Sequence, residues 1–448
     1  MLGLGYGIAS PFIFRSVWTP ASQFYPTGTG LLILPNRRET LFQDAAGTIP
    51  AMSPGDPVGL ARDLSGGGNH ASQATALSKP RLGRHPASGL RNRANGAQAV
   101  DTVAWGSGGV SNGLTYTKVG TGTEGGVPYV DIRMTGTATA SQHAVGWSSA
   151  NSRIPMTSGF AVASVTARVI AGAPPTGATQ NGIRLQVFEL DAAFAILTTG
   201  ASNSITSSVD TTITLSRGAM AVGVAYTSAF LILEGGATEV IDVTYRIKGL
   251  QFEIGSTPTA LQHNLSPYDI TEAVYADVWY LSMDGVDDHM QTQSVIWGTD
   301  ESTVIMAMAP AQTSTQYCPF RFAPTGSPGS GFVKSASGIM SATVGSTVAA
   351  YAPAPTPVNG TAEVYAFTSK IQTPALNLRR NGALVATSYA SQGAGIYADG
   401  VMSVGSWNGP FLMSGRIYGL MAINRNLTPT EIIRAEQYMA RLAGVTLT

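Results

Sequence analysis

Charged residues are scarce in this chain, and neither charge sign is in excess. Only 12% of the 448 residues are Asp, Glu, Lys or Arg, and 26 basic and 26 acidic side chains give a formal net charge of zero. A neutral chain without a long basic run lacks the electrostatic footprint of a nucleic-acid-binding protein. Such a chain also gains little solubility from its own charge, which favours burial of surface against other copies. We therefore expect a homo-oligomer and no nucleic-acid ligand.

Cysteine and clustered histidine are also missing. The single cysteine, Cys318, excludes an intrachain disulfide and a cysteine-based zinc site, and it stands among aromatic residues, where burial as a small apolar side chain is expected. The five histidines are scattered without metal-ligand spacing. No pair of carboxylates is marked by its surroundings as acid–base active. The sequence therefore predicts a protein that is not an enzyme.

The first fourteen residues are apolar but carry no basic region, and glycines interrupt them. A secretion signal needs the basic region, and a membrane-spanning helix needs a longer uninterrupted apolar run. We expect neither secretion by the general pathway nor membrane insertion. These apolar residues instead predict contact with a protein partner.

Glycine and proline are abundant, with 52 and 25 residues, and alternating strand patterns replace helical ones. Strands are predicted over 161–170, 183–188 and 240–254. Turns at this density are typical of β-sandwiches and barrels, and 448 residues exceed what one hydrophobic core usually organises. The sequence thus predicts an all-β protein with two or three domains.

Two local elements can be placed from their end signals. Asn381 and Gly382 form the preferred residue pair of a type I′ turn, which predicts a β-hairpin around them. Thr428, Pro429 and Glu431 have the spacing of an N-cap, a first-turn proline and a capping-box glutamate. A short helix is expected from there to Gly444, with one apolar face formed by Ile432, Ala435, Met439 and Leu442.

Four stretches of sequence resemble known virion proteins. Residues 283–288, Met-Asp-Gly-Val-Asp-Asp, and residues 415–420, Gly-Arg-Ile-Tyr-Gly-Leu, resemble the first and last strands of the concanavalin A-like (laminin G-like) sandwich of phage and gene-transfer-agent proteins, although Met283 stands where the family usually has Phe. Residues 40–82 resemble a stretch that leads directly into that sandwich in the same proteins. Residues 249–260 are similar to the last strand of carbohydrate-binding-module-like jelly rolls. An insertion between Leu82 and Leu281 is therefore expected.

The resemblance implies four regions. Residues 1–94 are expected to form an extended N-terminal docking arm and linker, residues 95–263 a carbohydrate-binding-module-like jelly roll, residues 264–282 a connector, and residues 283–448 the concanavalin A-like sandwich with its terminal helix. The arm is predicted because its sequence holds many turn formers and few apolar runs. This architecture is all-β throughout.

Aromatic residues in loops are the candidates for carbohydrate binding. Sugar rings present C–H surfaces that pack on flat aromatic faces, and neighbouring polar side chains bind the hydroxyls. The C-terminal candidates are Tyr397, Trp407 and Asn408, and those of the jelly roll are Trp105 and Trp147. Packing in a core or an interface is the alternative for each of them.

Asp284, Asp287 and Asp288 place three carboxylates within five residues, a density that could bind calcium if other oxygens complete the shell. Aspartates at the end of a strand also satisfy turn N–H groups, and that structural role is the alternative. Calcium is the one cofactor that the sequence admits.

The resemblance implies a virion spike or fibre subunit, on the head rather than the tail, that attaches the particle to host surface or capsular polysaccharide. It would be assembled in the cytoplasm and exposed on the particle, with the N-terminal arm bound to capsid-vertex or tail proteins. Two alternatives stay open. The chain could be a purely structural decoration or oligomerisation subunit, or a capsule depolymerase.

Overall fold

The computed structural model describes residues 18–25, 28–93, 112–146, 154–156, 158–218, 220–311, 316–322, 329–334, 340–347, 349–354, 357, 360–407 and 411–448. Over these residues the protein is all-β, with twenty-nine strands, one α-helix and three short 3-10 helices. The 3-10 helices span Pro20–Phe24, Arg38–Thr40 and Ala76–Ser78. No helix in this part of the chain is long and apolar enough to cross a membrane.

The strands fall into three consecutive groups. The first group is β1 (Gly30–Ile33), β2 (Leu41–Phe42), β3 (Leu60–Ala61), β4 (Ala71–Ser72) and β5 (Arg81–Pro86). The second is β6 (Leu114–Glu124), β7 (Val127–Thr137), β8 (Gln142–Gly146), β9 (Ile154–Pro155), β10 (Ala161–Gly172), β11 (Gly182–Leu190), β12 (Ile196–Ala201), β13 (Thr211–Arg217), β14 (Tyr226–Glu234) and β15 (Val240–Ile254).

The third group begins with β16 (Gln262–Ser266), β17 (Asp269–Glu272), β18 (Asp277–Asp284), β19 (Met290–Gln291), β20 (Glu301–Pro310), β21 (Tyr317–Phe322) and β22 (Ser330–Lys334). It continues with β23 (Met340–Val344), β24 (Ala350–Ala354), β25 (Glu363–Lys370), β26 (Ala375–Arg380), β27 (Ala383–Ser388), β28 (Met402–Val404) and β29 (Ser414–Ile423), and ends with helix α1 (Pro429–Ala443).

The second group forms the jelly roll, a sandwich of two antiparallel sheets. One sheet has the order β13-β10-β15-β7-β6, and the other has the order β12-β11-β14-β8 with β9 added beside β14. Alternate residues of each strand point between the sheets, so that the core contains Val165, Leu185, Leu231 and Phe252.

The first and third groups together form the C-terminal sandwich. Its ten-stranded sheet has the order β16-β17-β5-β18-β29-β20-β25-β26-β27, with β1 also paired to β29. Its nine-stranded sheet has the order β2-β3-β4-β19-β28-β21-β22-β23-β24. The main core lies between the two sheets, and a second apolar cluster lies on the outer face of the ten-stranded sheet beneath α1.

The expected extended arm is wrong for the described part of residues 1–94. All five strands of the first group belong to the two sheets of the sandwich, and β1 pairs with β29 from Gly30↔Ile423 to Ile33↔Leu420. β1 is buried on both faces, because Leu31 and Ile33 join the main core while Leu32 lies in the cluster beneath α1. Residues 1–17 of the predicted arm lie outside the described residues.

The predicted connector, residues 264–282, is also structured. It contains β17 and most of β16 and β18, and β18 pairs with β5 with Leu82 opposite Leu281. The jelly roll thus leaves and re-enters the sandwich beside paired strands. Asn92 joins the two domains, because its Nδ2 donates to the carbonyl oxygens of Leu250 (2.9 Å) and Gln262 (3.0 Å).

The two locally signalled elements are confirmed. Asn381 and Gly382 both have positive φ, 49° and 88°, and they connect β26 to β27 as a two-residue turn. Thr428 caps α1 in a complete capping box with Glu431, and Gly444 ends the helix in the left-handed conformation.

Candidate functional site

Trp407 is the predicted sugar-binding aromatic whose position suits that role. It lies in the bend that follows β28 and is half-buried. The guanidinium carbon of Arg321, on β21, is 3.6 Å from the centroid of its ring. The ring of Phe411 lies 5.7 Å away, centroid to centroid, at an angle of 49°. Trp407 is therefore positioned by a stacked cation and an aromatic neighbour, and part of its surface faces solvent.

Arg321 belongs to a row of residues that crosses the nine-stranded sheet. Partners opposite each other in antiparallel strands point to the same face of a sheet. The register places seven residues in one row, from β24 to β4: Tyr351, Thr343, Gly331, Arg321, Ser403, Gln291 and Ser72. Phe320 and Phe322, which flank Arg321, join the main core, so the row lies on the outer face.

The row is long and rich in polar groups. Seven strands at about 4.8 Å spacing extend over roughly 29 Å. Ser403 accepts a hydrogen bond from Gln291 Nε2 at 3.3 Å. Tyr351 is 58% exposed, so its ring is available at the β24 end of the row. Gly331 presents no side chain beside Arg321, and a Cβ there would overlap the carbonyl oxygen of Phe320.

The electrostatics of the row come from Arg321. Its side chain is almost fully buried, at 3% exposure, and this burial lowers its pKa. A guanidinium stays protonated even so, because its ordinary pKa is far above neutrality. We call Arg321, Tyr351, Trp407 and Phe411, together with the row itself, the Trp407 site. It offers aromatic surface for sugar C–H groups beside the amide of Gln291 and the hydroxyls of Tyr351 and Ser72 for sugar hydroxyls, whereas Arg321 and Ser403 are buried and support the surface from below.

Tyr397, the second predicted sugar-binding aromatic, is a core residue. It is 1% exposed, and its ring packs on Trp297 with 6.5 Å between ring centroids. Its hydroxyl shares a hydrogen bond of 2.7 Å with Ser369 Oγ and donates to Gln392 Oε1 at 3.3 Å. Its role as a sugar platform is therefore wrong, because the ring is inaccessible. Trp105, Trp147 and Asn408 lie outside the described residues.

A group of aromatic residues on the jelly roll was not predicted from the sequence. Phe188 and Phe230 meet edge to face with 4.9 Å between centroids, and Phe194 lies 4.9 Å from Tyr226. The strand period is the signal that would have found Phe188. It follows Ile183, Leu185 and Val187 at odd spacing and so points away from the jelly-roll core that these three residues form. The same signal would have found Arg321, because it lies between Phe320 and Phe322, which both point into the main core.

The three predicted calcium ligands lie together at the end of β18. Asp284, Asp287 and Asp288 each have a carboxylate oxygen within 4.8 Å of the others. Asp284 Oδ1 accepts the backbone N–H of Val286 (2.8 Å), and Asp288 Oδ2 accepts that of Asp284 (2.9 Å). Burial and then the charge of Asp284 raise the pKa of Asp288 to about 7. The carboxylates suit a hard cation, and calcium binding by them stays a prediction.

Other reactive groups are inert or already bonded. Cys318 is fully buried, and burial raises the pKa of its thiol to about 12. Glu189 is buried and forms an ion pair of 2.7 Å with Arg217. Glu253 is also buried and accepts the backbone N–H of Thr259 at 2.6 Å. These carboxylates have the partners of structural residues.

No protein-family model matches the chain, and no curated protein matches it. Solved structures with similar folds include the native heptameric SAP-like pentraxin from Limulus polyphemus (16% identity, TM-score 0.29, 35% of this chain and 80% of that chain). Another is the receptor-binding domain of botulinum neurotoxin mosaic serotype C/D (11%, 0.31, 36% and 42%). A third is the Ruminococcus gnavus IT-sialidase CBM40 bound to α2,3 sialyllactose (12%, 0.28, 35% and 96%).

These similarities are low. Each alignment covers little more than a third of this chain, and the chain spans less than half of the neurotoxin domain. TM-scores near 0.3 carry no argument about ligand or activity. The case for a function therefore depends on the residues of the Trp407 site.

Proposed function

We propose that this protein is a virion spike or fibre subunit that attaches a phage or gene-transfer-agent particle, at its head, to host surface or capsular polysaccharide. The contact is made by the Trp407 site. The resemblance of residues 40–82, 249–260 and 283–288 to virion proteins supports the particle, and the site supports the glycan.

The observation that carries the proposal is the stacking of Arg321 on Trp407 at the middle of an extended polar row. Glycans bind to aromatic faces flanked by hydrogen-bonding groups, and the buried Arg321 guanidinium holds the Trp407 ring in place. A shallow surface of this kind gives weak affinity for each copy. Several copies on one particle would raise the overall avidity by multivalency.

The test is binding of the purified protein to encapsulated host cells and to the same cells without capsule, with Trp407→Ala beside the wild type. Loss of an aromatic platform is expected to weaken capsule binding up to about tenfold, since such stacking contributes up to about 1.5 kcal/mol. The melting temperature should change little, because Trp407 is only half-buried.

Tyr389→Ala is the matched control. Tyr389 is 76% exposed and follows β27 at the edge of the other sheet, so its loss removes an exposed aromatic ring without touching the Trp407 site. Equal capsule binding by wild type and Trp407→Ala would remove this site. No capsule binding by the wild type would favour a structural subunit, and release of oligosaccharide into the supernatant would make the protein a depolymerase.

Part of the predicted docking arm belongs to the sandwich. Residues 28–34 form part of the sandwich, and the side chain of Phe24 is buried in the cluster under α1. We therefore propose residues 1–17 as the segment that contacts capsid-vertex or tail proteins. Deleting them should leave a folded protein that no longer enters particles, measured by its amount in purified virions. Normal incorporation of the deleted form would contradict this role.

A further inference from the structure

A cavity lies on the opposite side of the sandwich from the Trp407 site. It has a volume of about 420 Å³ and sits on the outer face of the ten-stranded sheet, beyond the C-terminal end of α1. Three segments surround it: residues 89–93, residues 360–362 and residues 443–446. This volume is within the usual range of small-molecule sites.

The charge around this cavity is one-sided. Arg93 and His85 line it together with neutral residues, and its lining contains no acidic side chain. Arg416 stands next to it on β29, in contact with Tyr280 and Tyr418. Neither Arg93 nor Arg416 forms an ion pair with a carboxylate of the described residues. Arg379, a half-buried arginine of this face, does form such a pair, with Glu436.

The two guanidinium groups are close enough to affect each other. Desolvation and then the charge of Arg416 lower the pKa of Arg93, although Arg93 itself remains exposed. Burial lowers the pKa of His85 to about 4, with a further contribution from Arg416. No carboxylate of the described residues pairs with either charge, and like charges repel each other, so an anion between them would relieve that repulsion.

The hydrogen bonds in the cavity wall fix which groups can donate. His85 Nδ1 lies 2.9 Å from the carbonyl oxygen of Pro86, which can only accept, so Nδ1 carries the proton of the neutral ring. His85 Nε2 is then an acceptor and receives the hydroxyl proton of Tyr418 at 2.9 Å. Asn381 Oδ1 accepts the backbone N–H of Val364 at 2.8 Å, which leaves its Nδ2 hydrogens to donate to a ligand.

The end of α1 opposes this charge only in part. Ala443 and Gly444 line the cavity, and a helix C-terminus carries about half of a negative charge. Two guanidinium groups carry two full positive charges. Gly444 and Val445 also donate their N–H groups to the Ala440 carbonyl, so one of the terminal carbonyls is already satisfied.

We propose that this cavity binds a small molecule carrying a carboxylate or phosphate group. Arg93 contacts the anion directly, Asn381 Nδ2 and the neighbouring threonine hydroxyls donate to it, and Arg416 supplies the second charge from behind Tyr418. This site is distinct from the Trp407 site and does not depend on the proposed attachment function.

The test is isothermal titration calorimetry of the full chain with three probes: inorganic phosphate, glucuronate and neutral glucose. Phosphate, glucuronate or both should bind, and glucose should bind at least about tenfold more weakly, because only the charged probes gain charge-assisted hydrogen bonds. Binding of one anion alone identifies whether the ligand carries phosphate or carboxylate. No binding of either anion, or equal binding of glucose, overturns the proposal.

Arg93→Gln is the variant that locates the site. Arg93 is exposed, so the fold should be retained, and anion binding should fall about tenfold or more. Arg434→Gln removes one positive charge from an exposed position of α1 and is the matched control, with unchanged affinity expected. Equal loss in both variants, or no loss in Arg93→Gln, would assign the binding to general surface charge and contradict the site.

Discussion

The two outer faces of the C-terminal sandwich have opposite characters. The outer face of the ten-stranded sheet is apolar where α1 and the Pro20–Phe24 helix pack on it, and Leu32, Ile305, Tyr418 and Met439 are buried there. The outer face of the nine-stranded sheet instead carries the polar row of the Trp407 site. Helix α1 packs against β18, β20, β25 and β29, all of them strands of the ten-stranded sheet. One face is thus largely covered by a helix and an apolar cluster, whereas the other leaves its polar row uncovered by any described helix.

The largest expected effect comes from breaking the apolar face at its N-terminal strand. Leu32 is fully buried under α1, so Leu32→Ala should lower the free energy of unfolding by about 3 kcal/mol through lost burial and a cavity. Leu77→Ala is the control, because Leu77 is 83% exposed. Chemical denaturation of both variants measures the difference. Equal stability of Leu32→Ala and the wild type would restore the idea of a detachable arm.

The wrong prediction of an extended arm around residues 31–34 has a physical reason. Leu31 to Leu34 is a short apolar run bounded by Gly30 and Pro35, which fits a strand buried on both faces as well as a contact patch on an arm. The partner that decides between them, Ile423, lies 393 residues further along the chain by the register Gly30↔Ile423. Local patterns thus gave the fold class, the hairpin and the helix, whose signals are all within a few residues. They did not give the sheet partners.

His85 makes the stability of the helix-covered side sensitive to acid. Its folded-state pKa is about 4 and its ordinary value 6.5, so the unfolded chain binds more protons between these pH values. Stability should be fully present above pH 6.5 and fall by about 3 kcal/mol as the pH drops towards 4. His85→Gln should flatten this part of the pH profile measured by denaturation. His263→Gln, at a half-exposed position, should flatten it less, and the reverse order would contradict the assignment to His85.

Asp288, which lies beside the nine-stranded sheet, should make the free energy of unfolding depend on pH in the opposite direction. Its pKa is raised from 3.8 to about 7, so the folded state binds more protons in this range and stability falls as the pH rises through it. Raising the pH from 4 to 8 should lower the free energy of unfolding of the wild type by about 1.5 kcal/mol through Asp288. Asp288→Asn should not show this loss. Asp284→Asn should remove part of the same loss, because the charge of Asp284 is its second cause.

Calcium distinguishes the two roles of this cluster. If the three carboxylates bind calcium, adding the ion at pH 8 should raise the melting temperature of the wild type and leave Asp288→Asn unchanged. An unchanged melting temperature of the wild type would make the cluster a set of turn caps only. The sequence predicted the cluster because its members lie within five residues. It did not predict the Trp407 site in full, because Arg321 contacts Trp407 and shares a row with Tyr351 only through long-range strand pairing.

The smallest expected effect concerns α1, the helix that covers one of the two faces. Thr428 Oγ1 accepts the Glu431 N–H and Glu431 Oε2 accepts the Thr428 N–H, so Thr428→Ala should cost about 1 kcal/mol. Thr430→Ala, at an exposed position of the same turn, should cost less, since its side chain is not the cap. Because α1 packs only on the ten-stranded sheet, Thr428→Ala should lower the melting temperature and leave capsule binding unchanged. A loss of capsule binding by the folded variant would mean that the two faces are coupled, and the division of labour between them would then be wrong.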